Sequence, residues 1–497
     1  MSTNNSWICK VCGYIHEGSE PPDVCPVCGV FKEEFAPYQE SKAVKKEASG
    51  QWRCIICGYM HEGAQPPETC PLCGASADKF ETDTAAKAII SRPKRKETYV
   101  IAGGGVAGVS AAEAIRSCRP DAEIKLFSKE EALPYYRINL TRYLAGQVAE
   151  KMLSLHPRQW YHEHGIEVQG GAELTTVDPE HKMLRLKNGE DVAYDKLVLT
   201  VGSHPFVPPF AGSHRDNVTP FRSRTDADFL IEQGTSSETC VVVGGGLLGL
   251  ETAGGIARHG AKVTLLEGHD WLMPRQLNAK AGALLEENAN LEGVHIRKNA
   301  RVKEFVGDEH VRGVMLDDGT TLPAELVVIA TGVRPNSYIA RLAGLHVDRG
   351  IVVDDYLATS HPDIFAAGDV AEHRGELYGL WQPAQFMGKI AGLNAAGTRT
   401  EFGGIPRSHT LKILGTKMFS IGRITPEDGS YRAIDQEHDG TYSFFMFRDN
   451  QLVGAILLGD TRASTRIKKL VEGKTDCSKL LAANPGAADI INELLAG

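Results

Sequence analysis

Two short stretches of this chain carry the same glycine spacing, and that repetition limits its possible folds more than any other feature. Tyr99-Val100-Ile101-Ala102 is an apolar run of strand length. It empties into Gly103, Gly105 and Gly108, at the positions of G-x-G-x-x-G, and then into the helix-like run Val109–Arg116. The first glycine permits a tight turn, the second lets a pyrophosphate approach the backbone, and the third lets helix and strand pack closely. The helix N-terminus then offers free N–H groups to the anion. Cys240-Val241-Val242-Val243 runs into Gly244, Gly246 and Gly249 in the same register. One such match is weak evidence. Two predict two dinucleotide-binding units, and the simplest pair of ligands is a flavin and a nicotinamide.

Each unit needs an acidic residue for the adenosine ribose at the end of its second strand. Val263-Thr264-Leu265-Leu266 is that strand in the second unit, and Glu267 closes it 23 positions after Gly244, near the ~20 expected. A carboxylate there accepts from both ribose hydroxyls and repels a 2′-phosphate, which predicts NADH over NADPH. In the first unit the strand is Glu123–Phe127, followed by Ser128, Lys129 and Glu130. Glu130 is assigned to the ribose, with an exposed loop acid as the alternative.

The 497 residues suffice for several domains. A net charge of −9 without a large basic block excludes a nucleic-acid binder. No apolar run reaches membrane-spanning length and Met1–Ser6 lacks a signal-peptide pattern, so no membrane partner and a cytoplasmic location are expected. Eight of the eleven cysteines stand in C-x2-C pairs, which in a cytosolic protein point to metal. Cys9, Cys12, Cys25 and Cys28 form one C-x2-C-x12-C-x2-C set, and Cys54, Cys57, Cys70 and Cys73 form it again 45 residues later. Trp7–Phe35 and Trp52–Phe80 share the frame W-x-C-x2-C-G-Y-x-H-E-G-x2-P-P-x2-C-P-x-C-G. Modules this short need a staple, and four thiolates make a tetrahedral site for iron or zinc. His16 and His61 are surplus to that tetrahedron.

Ligand type leaves iron and zinc level. G-Y-x-H-E-G followed by C-P-x-C-G resembles the short rubredoxin domain of rubrerythrins, and the resemblance implies one redox-active iron per module, with zinc the alternative. The stretches 37–51 and 82–97, rich in Ala, Lys, Ser and Glu, read as linkers.

Leu133-Pro134-Tyr135-Tyr136-Arg137-Ile138-Asn139-Leu140 resembles the flavin loop of the pyridine nucleotide-disulfide oxidoreductase superfamily. The branch is that of NADH:rubredoxin reductases and the flavin part of assimilatory nitrite reductases. The resemblance implies that Arg137 contacts FAD. Related ferredoxin reductases carry a lysine where Arg142 stands, paired with a glutamate matching Glu251. Arg142 and Glu251 are thereby named as the polar pair nearest the flavin N5, although an arginine's charge, unlike a lysine's, cannot be switched off. Leu326–Asn336, with Gly332, resembles the return to the flavin domain, and Asp363–Ala371 the last flavin motif, which implies that Asp369 hydrogen-bonds the ribityl chain and that Gly332 and Gly368 are cofactor-binding positions. Met387 replaces the glutamine of the usual A-x-x-Q-G. Cys118, Cys240 and Cys477 are isolated, and none lies in Leu133–Gly146, so disulfide chemistry is not expected.

The expected fold is α/β: two small metal-knuckle, rubredoxin-like domains (1–36 and 52–81), an FAD-binding Rossmann-like domain (98–205 and 325–400), an NAD-binding one (206–324), and an α+β C-terminal domain (401–497). In the last, Tyr442–Phe447 and Leu452–Leu458 predict a hairpin, and Asp460–Val471 a helix. On that helix Arg462, Arg466 and Lys469 share one face, read as solvated or as a docking patch for an acidic partner. The implied function is hydride transfer from NADH to FAD, then single-electron transfer to iron and to an external peroxide-, superoxide- or oxygen-reducing protein. The alternatives are zinc knuckles that bind other proteins, and a nitrite-reductase-like component.

Overall fold

The computed structural model describes residues 96–405 and 408–496. In the N-terminal modules it describes residues 6–9, 15–23, 32, 35–38, 51–54, 60–62, 65–68, 77 and 80–82. Each module is a three-stranded antiparallel sheet, formed by Ser6–Cys9, Ile15–Glu17 and Phe35–Tyr38 in one and by Gln51–Cys54, Met60–Glu62 and Phe80–Thr82 in the other. The two share one register. Trp7 faces His16 and Cys9 faces Phe35, as Trp52 faces His61 and Cys54 faces Phe80. The closing Phe35 and Phe80 are buried. Cys12, Cys25, Cys28, Cys57, Cys70 and Cys73 lie outside the described residues, as do the side chains of Cys9 and Cys54 and most of the two linkers.

The chain divides into two compact units, one of Met1–Asn139, Glu150–His204 and Arg334–Ile405, the other of Leu140–Ala149, Pro205–Val333 and Pro406–Gly497. In the first, a five-stranded parallel sheet has Thr98–Ala102 at its centre. Lys196–Leu199 and Glu123–Phe127 flank it, and Ile364–Ala366 and Ile166–Gln169 form the edges. Its central strands are nearly all-apolar because both faces are covered. The helix Val106–Cys118 packs on Trp381–Ala395 so closely that a Cβ on Gly388 would come within 2.1 Å of the Ala107 carbonyl oxygen.

The second unit repeats the plan. Thr239–Val243 is central, between Leu326–Ile329 and Lys262–Leu266, with Val218–Pro220 and Val294–Arg297 outermost, all parallel. The helix Arg224–Ser236 begins in a capping box in which Ser223 and Asp226 satisfy each other's backbone N–H. A separate antiparallel sheet runs 408–413, 416–422, 451–458, 441–448 and 432–438. Its predicted hairpin turns through Asp449 and Asn450, both left-handed, as a two-residue turn of twist-matched type requires.

The helix predicted from Asp460 begins only at Ser464. The Asp460 carboxylate accepts from the Arg462 backbone N–H and pairs with its guanidinium at 2.7 Å, making a turn instead. Arg462 is therefore off the helix, and Arg466 donates to the Leu494 carbonyl. The three-cation stripe does not form, and no docking patch rests on it. Among the described residues no helix is long and apolar enough to cross a membrane.

Candidate flavin and nicotinamide sites

The two glycine turns are superimposable in their chemistry. Gly103 N–H donates to the Phe127 carbonyl at 2.8 Å, and Gly244 N–H donates to that of Leu266 at 2.8 Å. Both first glycines have positive φ, +125° and +117°. A Cβ on the third glycines would lie 2.0 Å from the Gly103 oxygen at Gly108 and 1.9 Å from the Gly244 oxygen at Gly249. Only glycine lets each helix start against its own strand. A Cβ on Gly105 or Gly246 would meet nothing within 4 Å. Both second glycines therefore face open space at a helix N-terminus that carries no side-chain cap, the arrangement that receives a pyrophosphate.

At the end of the second strand the turns differ. Glu267 is buried and accepts from Gly245 N–H at 3.0 Å through one oxygen and from His269 N–H at 2.9 Å through the other. It sits directly beneath the turn. In the first unit the same position belongs to Ser128, also buried and packed beneath Gly104. Glu130 lies two residues further on. One of its oxygens pairs with Arg137 at 2.5 Å and the other accepts from the Tyr135 hydroxyl at 2.7 Å. Burial pulls the Arg137 guanidinium down, but Tyr135, Glu130 and Asp369 outweigh it and hold the group above its ordinary range. Glu130, Arg137 and Asp369 thus form one electrostatic cluster, which the sequence reading treats as three separate contacts.

Asp369 sits in a short 3-10 turn, Gly368–Val370, and accepts from the Ser203 hydroxyl at 2.9 Å. Gly368 packs against Ala107 of the glycine turn, which draws Asp369 to that turn. Tyr136 stacks on Trp381 with ring centroids 6.0 Å apart, and the shielded indole N–H of Trp381 meets no acceptor among the described residues. An open glycine cradle, an orphaned indole donor and a carboxylate beside a half-buried guanidinium fit a flavin dinucleotide. Met387 is fully buried, so it fills the core. Gly332 is left-handed (φ +114°) just past the end of the second sheet, and its carbonyl accepts from Phe206 N–H at 2.8 Å.

Glu251 lies on the helix Leu247–Ala257, and the hydroxyl of Thr141 donates to its Oε2 at 2.5 Å. Burial pushes the Glu251 carboxyl up to about 7, against the opposing pull of Thr141 and of the Arg142 charge. Arg142 thus acts on Glu251 through charge, and Thr141, one residue earlier, supplies the hydrogen bond. Thr141 and Ser203 each hydrogen-bond a candidate site residue, and residue-by-residue reading misses both. Each stands beside a motif residue, but its partner lies more than a hundred positions away. Burial also pushes the Cys240 thiol up to about 12, in keeping with a packing role.

Comparisons with known proteins agree with this geometry. A family model described as pyridine nucleotide-disulphide oxidoreductase matches residues 97–388. A rubredoxin NAD+ reductase C-terminal domain matches 408–475, and a rubrerythrin, rubredoxin-like domain matches both 7–36 and 52–81. The chain is 36% identical over 387 residues to a nitrite reductase [NAD(P)H] of Bacillus subtilis, covering 77% of this chain and 48% of that protein. It is 30% identical over 373 residues to an NADH-rubredoxin oxidoreductase of Clostridium acetobutylicum, covering 75% of this chain and 94% of that one. The crystal structure of the Clostridium acetobutylicum NADH:rubredoxin oxidoreductase superposes with a TM-score of 0.69 at 28% identity, over 80% of this chain and all of that one. The chain spans about half the length of the nitrite-reductase relatives it matches. With both glycine turns, the flavin cluster and the C-terminal sheet in place, the chain belongs to the pyridine nucleotide-disulphide oxidoreductases, a flavoprotein oxidoreductase with two rubredoxin-like domains ahead of it.

Proposed function

We propose that this chain is an NADH:rubredoxin oxidoreductase carrying its own acceptors, with iron in both rubredoxin-like domains and an external redox protein beyond them. One observation carries the reading: two nucleotide turns and two four-cysteine, rubredoxin-like frames stand in a single chain. A bound flavin accepts a hydride and releases electrons one at a time, which joins a two-electron donor to one-electron metal sites.

The chain's own residues bind and orient. Gly103, Gly105 and Gly108 with the helix that follows take the FAD pyrophosphate, Asp369 takes the ribityl chain, and Glu130 holds Arg137 to the flavin. Gly244, Gly246 and Gly249 take the NADH pyrophosphate, and Glu267 takes the ribose. Arg142 and Glu251 are the candidate catalytic pair, and Gly332 contributes to cofactor binding. The eight knuckle cysteines hold the iron.

Purified protein is expected to contain about two irons per flavin, one for each four-thiolate set. Its thiolate-to-iron absorption should bleach when NADH is added without oxygen. Zinc at both sites, with NADH still reducing an external rubredoxin, would replace this reading with knuckles that act as interaction modules. A chain that bleaches only on binding a sirohaem partner would favour the nitrite-reductase-like component.

Glu267 carries a second expectation. Glu267→Ala removes the ribose acceptor together with the two backbone hydrogen bonds it receives. The kcat/KM for NADH should fall by about tenfold or more, since hydrogen bonds to a charged group contribute ~1.5–3 kcal/mol. The preference over NADPH should narrow. A wild-type enzyme that already works better with NADPH would show the acid to be misassigned.

A further inference from the structure

The segment that follows Glu267 is gripped at both of its ends. At the near end it holds the second glycine turn. Glu267 accepts from Gly245 N–H at 3.0 Å, and further along Met273 N–H donates to the Gly245 carbonyl at 3.2 Å. Both backbone polar groups of Gly245 are thus bound by this one segment. Leu272, fully buried, packs there too, since a Cβ on Gly245 would lie 2.9 Å from its Cδ2.

At the far end three strands of the C-terminal sheet hold it. The Ser420 hydroxyl, on Thr416–Gly422, donates to the Gln276 carbonyl at 2.7 Å. The Asn278 side-chain amide donates to the Tyr442 hydroxyl, on Thr441–Arg448, at 2.8 Å. Lys280 pairs with Asp435, on Arg432–His438, at 2.7 Å. Ser420 and Tyr442 are both buried, and all these residues belong to one compact unit. We propose that the C-terminal sheet positions the second glycine turn, with Ser420 as the positioning residue, and so sets the affinity for the nicotinamide dinucleotide. This role rests on the reading above that the turn takes NADH.

Backbone strain between the two grips is what makes the hold necessary. Met273 is buried in a left-handed conformation, φ +53°. For a residue with a side chain that conformation is costly, and it persists only where the surroundings over-determine it. The Met273 carbonyl accepts from Gln276 and Leu277 N–H, both at 2.9 Å, and the Trp271 indole donates to the Leu277 carbonyl at 2.9 Å. Gln276 is therefore tied to Met273 through its N–H and to Ser420 through its carbonyl. Three hydrogen bonds in line join Ser420 to Gln276, Gln276 to Met273, and Met273 to Gly245. Without the Ser420 hydroxyl, Met273 is free to relax toward the right-handed region, and the segment no longer presents its N–H to Gly245. The next residue, Gly246, is the one that faces open space at the helix N-terminus.

Calorimetric titration of oxidised, full-length holoenzyme with NAD+ reads this directly, because nothing turns over. In Ser420→Ala the dissociation constant should rise by about tenfold, since a buried carbonyl loses its donor. The rate of flavin reduction at saturating NADH should stay at the wild-type value, which makes the effect one on KM and not on kcat. Ser420→Thr keeps the hydroxyl and should bind NAD+ as the wild type does. Glycine is left-handed without penalty, so adding Met273→Gly to Ser420→Ala should restore most of the lost affinity. A general loosening of the C-terminal sheet would not be repaired in that way. Tyr442→Phe removes the neighbouring attachment and should weaken NAD+ by about threefold.

Wild-type affinity in both Ser420→Ala and Tyr442→Phe, with Gly249→Ala still impaired, would overturn the positioning role and leave the nicotinamide site standing. Failure of Met273→Gly to restore binding would overturn the path through Met273. Gly249→Ala that binds NAD+ as the wild type does would refute the reading of the turn itself, and the role of Ser420 would fall with it.

Discussion

Gly108→Ala is expected to purify without flavin, whereas Gly249→Ala is expected to keep its flavin and lose reduction by NADH. Both substitutions add one methyl group at the third glycine of a turn. In each case the new Cβ would lie about 2 Å from a backbone carbonyl oxygen, of Gly103 or of Gly244. The obstacle is backbone, so no side chain can swing away to relieve it. The helix start must shift by more than an ångström, which withdraws the N–H groups that would hold a pyrophosphate. Overpacking costs ~1–3 kcal/mol and occasionally more. At the upper end that is about a hundredfold in nucleotide affinity.

The two glycines belong to different units, so the effects should separate cleanly. Flavin absorbance of the purified variants checks the first. For Gly249→Ala, a chemical reductant should still bleach the flavin where NADH does not. The opposite pattern, with flavin lost from Gly249→Ala and retained in Gly108→Ala, would exchange the two assignments.

The second large effect is expected at the knuckles. Replacing Cys54 and Cys57 by serine should lower the iron content from two to one per flavin and slow NADH-driven reduction of module one by more than tenfold. Replacing Cys9 and Cys12 should leave module two's reduction unchanged. Module two is the nearer of the pair to the flavin unit along the chain, so it is the natural first acceptor, with module one as outlet to the external partner. Charge is compatible with that order. Module one, Trp7–Phe35, has a net charge of −3, and module two, Trp52–Phe80, of −1. A ferric ion with four thiolates adds one negative charge to each, so the more negative outer module is the better one to present to a basic partner. At physiological salt such attraction fades beyond about 8 Å, so it guides docking and not long-range capture. Equal rates for module one with and without a working module two would leave two independent acceptors. Rapid-mixing absorbance with each single-site variant distinguishes the cases.

Much of this was legible because it is local. A G-x-G-x-x-G turn is built from consecutive residues whose conformational needs only glycine meets, so the position of each nucleotide turn can be read from one stretch of chain. The 45-residue repeat of the knuckle frame reappears as one shared strand register, Trp7 on His16 and Trp52 on His61. The hairpin at Asp449-Asn450 follows from turn chemistry in the same way. The helix predicted from Asp460 failed for an equally local reason, a carboxylate that bonds its own backbone two residues on, which periodicity does not register.

By itself, then, the sequence determined the two nucleotide turns, the paired metal frames and the residue types that serve them. The tertiary structure alone decided how those residues combine. It placed Ser128, where the second unit has Glu267, beneath the first glycine turn, and it turned Glu130 toward Tyr135 and Arg137. It joined Ser203 to Asp369 and Thr141 to Glu251 across 166 and 110 positions of chain. The physical reason is the range of the interaction. Backbone conformation at a turn is settled by neighbouring residues, whereas the pKa and orientation of a buried carboxyl depend on whichever distant side chains packing brings within a few ångströms of it.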